Sequence, residues 1–332
     1  SGTSTNMNVN EVIVSLVKRH SQQKIILHPN DDVNMGQSSN DVIPSCIHLS
    51  AAKLISDELL PALQHLSDTL DAKASEHHNT IKTGRTHLMD AMPLSFAQEI
   101  SGWSSQIRYA HQQLENSLPS LLKLAIGGTA IGTGVNTHPE FSGIVTRVLT
   151  QRTGLSFTPA DNYFRAISAQ DTAVQISGVL KTTAVSLSKV SNDIRWLSSG
   201  PLNGLNELQL PELQKGSSIM PGKVNPVIPE AVLMACTQVI GNDTTITLAG
   251  QSGNFQLNTM LPLIGHTLVQ SIQLLTSSSM ALADKVIKDM KVNHSMINHN
   301  LAKTPILATA LNQLIGYDKS AEIAKKAYEE KR

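Results

Sequence analysis

The run Gly216-Ser217-Ser218-Ile219-Met220-Pro221-Gly222-Lys223-Val224-Asn225-Pro226 gathers two glycines, two hydroxyls, a lysine and an asparagine just ahead of an apolar helical pattern. Glycine loses more conformational freedom on ordering than any other residue. A cation beside hydroxyls and an amide marks a place where negative charge is held. Further polar breaks lie at 1–8, 36–41 and 83–90. Together the breaks supply hydroxyls (Ser1, Thr3, Ser38, Ser39, Thr86, Ser217), amides (Asn6, Asn40, Asn225), an imidazole (His87) and a lysine (Lys223). Hydroxyls and amides position carboxylate oxygens, and lysine neutralises charge as it develops, so the inventory suits a small anionic substrate. His87 is the candidate acid–base group, because imidazole takes and gives a proton near neutrality. Glu230, at the start of a predicted helix, is its candidate orienting partner. His28 is a further candidate, as a secondary anion contact.

Other chemistries find less support. There is no HExxH or paired CxxC, so no metal is expected, and Asp31 with Asp32 would hold a cation only in passing. No GxSxG elbow occurs, although a serine nucleophile stays open. The stretch Gly127-Gly128-Thr129-Ala130-Ile131-Gly132-Thr133-Gly134 lacks the lysine and the strand of a phosphate loop and reads as close packing or a bend beside a site. The 26 basic residues balance 26 acidic ones, which argues against nucleic acid as a partner. No apolar run reaches membrane-spanning length, and no signal peptide is read. Cys46 and Cys236 read as buried free thiols of a reducing compartment.

The elements that must position these segments are helical. Only 3% of the 332 residues are aromatic, and the apolar content is Ala, Leu, Ile, Val and Met, which is material for helices rather than β-sandwiches. Residues 1–12 read as a short strand or packed loop. A helix is predicted from near Pro44, with an apolar face at 47, 51, 54, 55, 59, 62, 63, 66 and 70. Another is predicted over 95–118, and the longest over 162–197 with a stripe at 176, 179, 180, 187, 190, 194 and 197. Two more cover 229–248 and 257–286. A hairpin is read near 202–210. Several helices are apolar around much of their circumference, so an oligomer built on the long helices is expected.

With these residues in view, the chain resembles the fumarase/aspartase superfamily. The loop 216–226 looks like its signature. Thr86-His87, Ser38-Ser39-Asn40-Asp41 and Ser1-Gly2-Thr3-Ser4-Thr5-Asn6-Met7-Asn8 match its other active-site segments in order. Within it, the group most resembled is class II fumarate hydratase. The resemblance implies an all-α fold of long helices that forms a twenty-helix core in a homotetramer, with each active site shared by three subunits. It implies a remnant of the N-terminal domain at 1–37, a central long-helix domain at 38–293 and the start of a small C-terminal domain at 294–332, both ends being trimmed against the family pattern. It implies reversible hydration of fumarate to L-malate without metal or organic cofactor. Ser217 would be the C3 base, acting as an alkoxide, and His87 with Glu230 would act through water. Lys223 and Asn225 would hold a substrate carboxylate, with Thr3, Ser38, Ser39, Asn40 and Thr86 completing the cradle. His28, Asn30 and Asp31 match a second, noncatalytic dicarboxylate site. Aspartate ammonia-lyase is the alternative within the superfamily, although His87 stands where such enzymes usually carry glutamine. A catalytically inactive structural fragment is the alternative outside enzymology. The cytoplasm is the expected location, or the mitochondrial matrix in a eukaryote.

Overall fold

In the computed structural model, which describes residues 1–21, 26–214, 216 and 219–330, helices dominate and strands are short. In chain order the elements are α1 (Thr3–His20), α2 (Ser39–Leu54), α3 (Leu60–Ser75), β1 (Ile81–Thr86), β2 (Met89–Ser95), α4 (Phe96–Leu121), β3 (Lys123–Leu124), α5 (Phe141–Thr153), β4 (Thr158–Pro159), α6 (Tyr163–Ser168), α7 (Asp171–Leu197), β5 (Leu208–Gln209), α8 (Val227–Gly250), α9 (Leu261–Leu282), β6 (Lys291–Val292), α10 (His294–Ala302), α11 (Asn312–Ile315) and α12 (Tyr317–Glu329). The strands form three two-stranded sheets, β1–β2, β3–β4 and β5–β6.

Two compact units are present. The first comprises 1–62, 110–185 and 235–277, and the second 63–109, 186–234 and 278–332.

The apolar periodicity read from the sequence is the buried face of the helices. Ile47, Ala51, Ile55, Leu59, Ala62, Leu63, Leu66 and Leu70 are all buried, as are Ile176, Leu180, Leu187, Val190, Ile194 and Leu197. Each such Leu or Ile contributes about 1.5–3 kcal/mol by leaving water. α2 starts at a capping box, earlier than Pro44. The Ser38 hydroxyl accepts from the Asn40 N–H, and the Asp41 side chain accepts from the Ser38 N–H. These bonds satisfy amides at the helix start that have no partner within the helix. A π turn over Ile55–Leu59 carries the chain from α2 into α3 with helical dihedrals at both junctions.

Four expectations are corrected. Residues 1–12 are neither strand nor loop. They belong to α1, where Asn6 and Asn10, one turn apart, both donate to Asn34 Oδ1 at 3.0 and 3.1 Å. The 162–197 helix is interrupted. Asn162 caps the short α6, and the chain extends at Ala169 before α7 begins. The reason is packing: the Ser168 carbonyl sits 2.4 Å from where a Gly253 Cβ would be, and Tyr163 and Ile167 each come to 2.9 Å from where a Gly128 Cβ would be. No hairpin forms at 202–210, because Leu208–Gln209 pairs instead with Lys291–Val292. Cys236 is buried but Cys46 is exposed, on the outer side of α2.

Candidate active site

In the first unit, the N-terminal polar segment and the start of α2 come together. The Ser1 hydroxyl lies 2.9 Å from that of Thr3, which lies 3.1 Å from that of Ser39. Asn40 donates from Nδ2 to the Ala130 carbonyl at 2.8 Å, tying the cluster to the glycine-rich stretch. Asp41, fully buried, fixes that stretch. Its Oδ2 accepts from the Gly127 N–H at 3.0 Å and the Thr129 N–H at 2.8 Å, while Oδ1 accepts from the Ser38 N–H at 3.0 Å. Burial pushes the Asp41 carboxyl above its ordinary range, against the pull of these N–H donors. Thr129 has φ +57°, and the glycines at 127, 132 and 134 also have positive φ, so the stretch is a bend, as the sequence suggests. Ser1, Thr3, Ser38, Ser39 and Asn40 are thus neighbours. Asn6 is buried and spends its amide on Asn34.

His28, Asn30 and Asp31 lie around a π turn, Pro29–Val33, of the same unit. His28 Nδ1 accepts from the Asp31 N–H at 3.2 Å and is 3.3 Å from the Asp31 carboxylate. The Asp32 carboxylate accepts from the His28 N–H at 2.6 Å. Asn30 is exposed.

In the second unit, Thr86 ends β1 and His87 forms the turn into β2. Thr86 pairs with Met89, so His87 and Leu88 are the whole turn, with φ +56° and +61°. Left-handed backbone at both positions is the geometry that Asn-Gly adopts readily. In a residue with a Cβ it costs about 1–2 kcal/mol. The imidazole is therefore presented, exposed, from a strained tip. Along the hairpin β2 carries one extra residue, Met92, and its carbonyl lies 2.4 Å from where a Gly84 Cβ would stand.

Behind the hairpin is a buried ionic network. Glu207, fully buried, accepts from Arg85 Nη2 at 2.6 Å and lies 3.0 Å from Lys82 Nζ. Lys82, also buried, donates to both oxygens of Glu99 at 3.0 and 2.8 Å. Burial raises the Glu207 pKa, but the Arg85 hydrogen bond and the charges of Lys82 and Arg85 outweigh it and hold the carboxyl below its usual range.

Lys223, Asn225 and Gly222 line a cavity of ≈ 880 Å³ together with Arg195 and Trp196. A Cβ at Gly216 would stand 2.6 Å from the Lys223 carbonyl, so the backbone at these two residues is in close approach. Ser217 and Ser218 lie outside the described residues. Glu230 occupies the first turn of α8, with Oε1 4.0 Å from Arg195 Nη2. Among the described residues of this single chain, no hydrogen bond joins it to His87. Also among the described residues, no three His, Cys, Asp or Glu side chains are placed to hold a metal ion, and no helix is long and apolar enough to cross a membrane.

Sequence reasoning gave no role to Asp41, Lys82, Arg85 or Glu207. Asp41 carried a signal, as the fourth member of a Ser-x-x-Asp capping box. Glu207 carried none, since its partners are remote in sequence.

Residues 1–241 match the family described as Lyase, and residues 307–332 match the family described as Fumarase C C-terminus. Fumarate hydratase class II 2 of Pseudomonas aeruginosa is 58% identical over all of this chain and 72% of its own length. Fumarate hydratase class II of Mycobacterium tuberculosis is 48% identical over all of this chain and 70% of its own length. The crystal structure of recombinant class II fumarase from Schistosoma mansoni, 42% identical, superposes with a TM-score of 0.95 over all of this chain and 73% of that one. On this identity and coverage, the chain belongs to the class II fumarate hydratase family of the fumarase/aspartase superfamily.

Proposed function

We propose that the polar segments of this chain divide the work of reversible fumarate hydration to L-malate, the hydro-lyase reaction of its family. In the malate-to-fumarate direction, Ser217 removes the C3 proton as an alkoxide. The electron pair spreads into the C4 carboxylate, giving a dianionic aci-carboxylate. Lys223 and Asn225 bind that end, and their attraction grows as charge accumulates, so they lower the barrier instead of merely tightening binding. Thr3, Ser38, Ser39, Asn40 and Thr86 supply neutral donors around the carboxylates. The C2 hydroxyl leaves on the opposite face, taking a proton through a water held by His87, with Glu230 orienting the imidazole from another subunit. Loop closure over substrate excludes water that would otherwise screen these charges.

The observation that carries the acid–base part is the turn at His87–Leu88, where an exposed imidazole is held in left-handed backbone without glycine. Strain of this kind persists only where the surroundings enforce it, and it gathers at functional sites. Assembly into a homotetramer with shared sites is supported by large apolar side chains that a single chain leaves uncovered on its long helices. Val185, Trp196, Met234 and Leu248 are each more than half exposed. His28, Asn30 and Asp31 are assigned to a second dicarboxylate site on the family resemblance.

The test follows fumarate's near-ultraviolet absorbance during hydration and in reverse, then repeats the run with aspartate. Interconversion of fumarate and malate is expected. Ammonia release from aspartate with no malate turnover would overturn the assignment.

A further inference from the structure

We infer that Glu207 is a positioning residue for the hydration reaction, acting through Arg85 on the turn that presents Thr86 and His87. The inference rests on the role given to His87 above. A two-residue turn without glycine does not hold its geometry by itself, because each left-handed residue with a Cβ favours other backbone. Something must fix the strands on either side of it. β2 is bulged at Met92, so only three pairs, Gly84–Ala91, Arg85–Asp90 and Thr86–Met89, run between the bulge and the tip, a short ladder to hold a strained turn. The fixed point is on β1. Arg85, immediately before Thr86, is clamped by the Glu207 carboxylate at 2.6 Å, and Lys82 of the same strand lies 3.0 Å from that carboxylate and 2.8 Å from that of Glu99. The cations and carboxylates balance, so no net charge is stranded in the interior.

Glu207 is itself held at both ends of its peptide. Its N–H donates to the Leu197 carbonyl at 2.8 Å, and its carbonyl accepts from the Asn293 N–H at 2.9 Å. The residue is therefore a rigid post between the end of α7 and Asn293, the residue that links β6 to α10. It is also the residue from which the chain leaves, through β5, toward Lys223 and Asn225. One buried carboxylate thus joins the roots of two segments to which the reaction is assigned, far apart in sequence. Stability alone is a weak account of such a network, since well-packed apolar residues often replace a buried ion pair without loss. Fixed orientation of the residues it clamps is what apolar replacements would not supply.

The experiment is a double-mutant cycle on kcat for fumarate hydration, using Glu207→Gln and His87→Asn singly and together. Glu207→Gln keeps shape and removes the charge that holds Arg85. A displacement of about 1 Å at a reacting group costs about 100-fold in rate, so kcat should fall by about that factor, with a much smaller change in KM. In the His87→Asn background the same change should cost little more, because the group it positions is already gone. Equal fold-losses in both backgrounds would overturn the proposal while leaving His87's role intact. An unchanged kcat in His87→Asn alone would remove the assignment of His87 and this proposal with it. Should Glu207→Gln fail to fold, Arg85→Lys, on the part-exposed side of the pair, replaces it in the cycle. It should show the same loss and the same non-additivity, and additive losses would reject the proposal equally.

Discussion

Asp41→Ala tests whether the glycine-rich bend and the start of α2 are held by one carboxylate. Its oxygens take the N–H groups of Ser38, Gly127 and Thr129 in a site without solvent exposure. A buried donor left without its acceptor costs about 1–3 kcal/mol, so stranding these three costs about 3–9 kcal/mol before any relaxation. Part of this is returned, because the substitution also removes a carboxylate whose burial disfavours its charge, as its raised pKa records. The net loss should be about 3–5 kcal/mol, the size found when one member of a buried charged pair is removed. Asn in place of Asp should recover little. An amide presents an acceptor on one side only and turns an N–H toward the remaining donors. The measurement is the urea midpoint by far-ultraviolet circular dichroism at fixed protein concentration, with KM for fumarate in the same preparations. KM should rise more than kcat falls, because the bend anchors Asn40 through the Ala130 carbonyl. A stability loss below about 1 kcal/mol for Asp41→Ala would refute the reasoning, since even the smallest stranding cost for three donors exceeds it.

Further substitutions address the chemistry and the hairpin separately. Ser217→Ala should lower kcat by orders of magnitude at unchanged thermal midpoint, as expected for a group acting only in the transition state; near-normal kcat would reject Ser217 as the base. His87→Asn should slow hydration about 10²–10⁴-fold, the usual worth of a positioned proton-transfer group, and steady-state rates with both fumarate and malate read this directly. Gly84→Ala would drive a methyl group into the Met92 carbonyl, 2.4 Å away in the present geometry. It should destabilise the protein by about 1–3 kcal/mol, measured as a fall in urea midpoint, and reduce kcat as the turn at His87 shifts.

Where burial followed a simple period, the sequence could be read directly. The faces Ile47–Leu70 and Ile176–Leu197 repeat at helical spacing, and a one-turn rise places those side chains on one side whatever packs against them. The polar segments holding Ser1, Thr3, Ser38, Ser39 and Asn40 were legible as breaks between helices, whereas their meeting rests on a contact 36 residues apart in sequence that no local pattern shows. The hairpin at 81–95 was not legible. Its turn residues are His-Leu, which no turn preference favours, and Arg85 beside the turn is held by Glu207, remote in sequence. α1 was misread because Asn6 and Asn10 look like surface polar residues until Asn34 supplies a buried acceptor. The break at Ala169 depends on backbone packing against Gly253, which no local pattern announces. The residues unread were thus those whose conformation is decided by a distant partner.

A dianionic substrate sets a constraint that links these buried groups to the reaction. Charge developing at the C4 carboxylate is stabilised by donors already in place, and a nearby uncompensated carboxylate would oppose it at the step where stabilisation matters. Yet the segments proposed to bind substrate need firm anchors, and charge-assisted hydrogen bonds are among the strongest a protein can make. Asp41 and Glu207 meet both needs in different ways. Asp41 is surrounded by backbone N–H donors and carries no cation, so its effective charge is spread over the amides of the bend. Glu207 is matched by Lys82 and Arg85, and Lys82 in turn by Glu99. In each case the anionic anchor lies in the interior beside hydrogen-bond donors or cations, while Thr3, Thr86, His87 and Lys223 of the candidate site stay exposed. Neutralising Glu207 would leave excess positive charge on the hairpin's root, and that excess would favour anion binding. A Glu207→Gln enzyme that holds fumarate at least as tightly as the parent yet turns it over slowly would therefore separate orientation of the imidazole from attraction of the substrate.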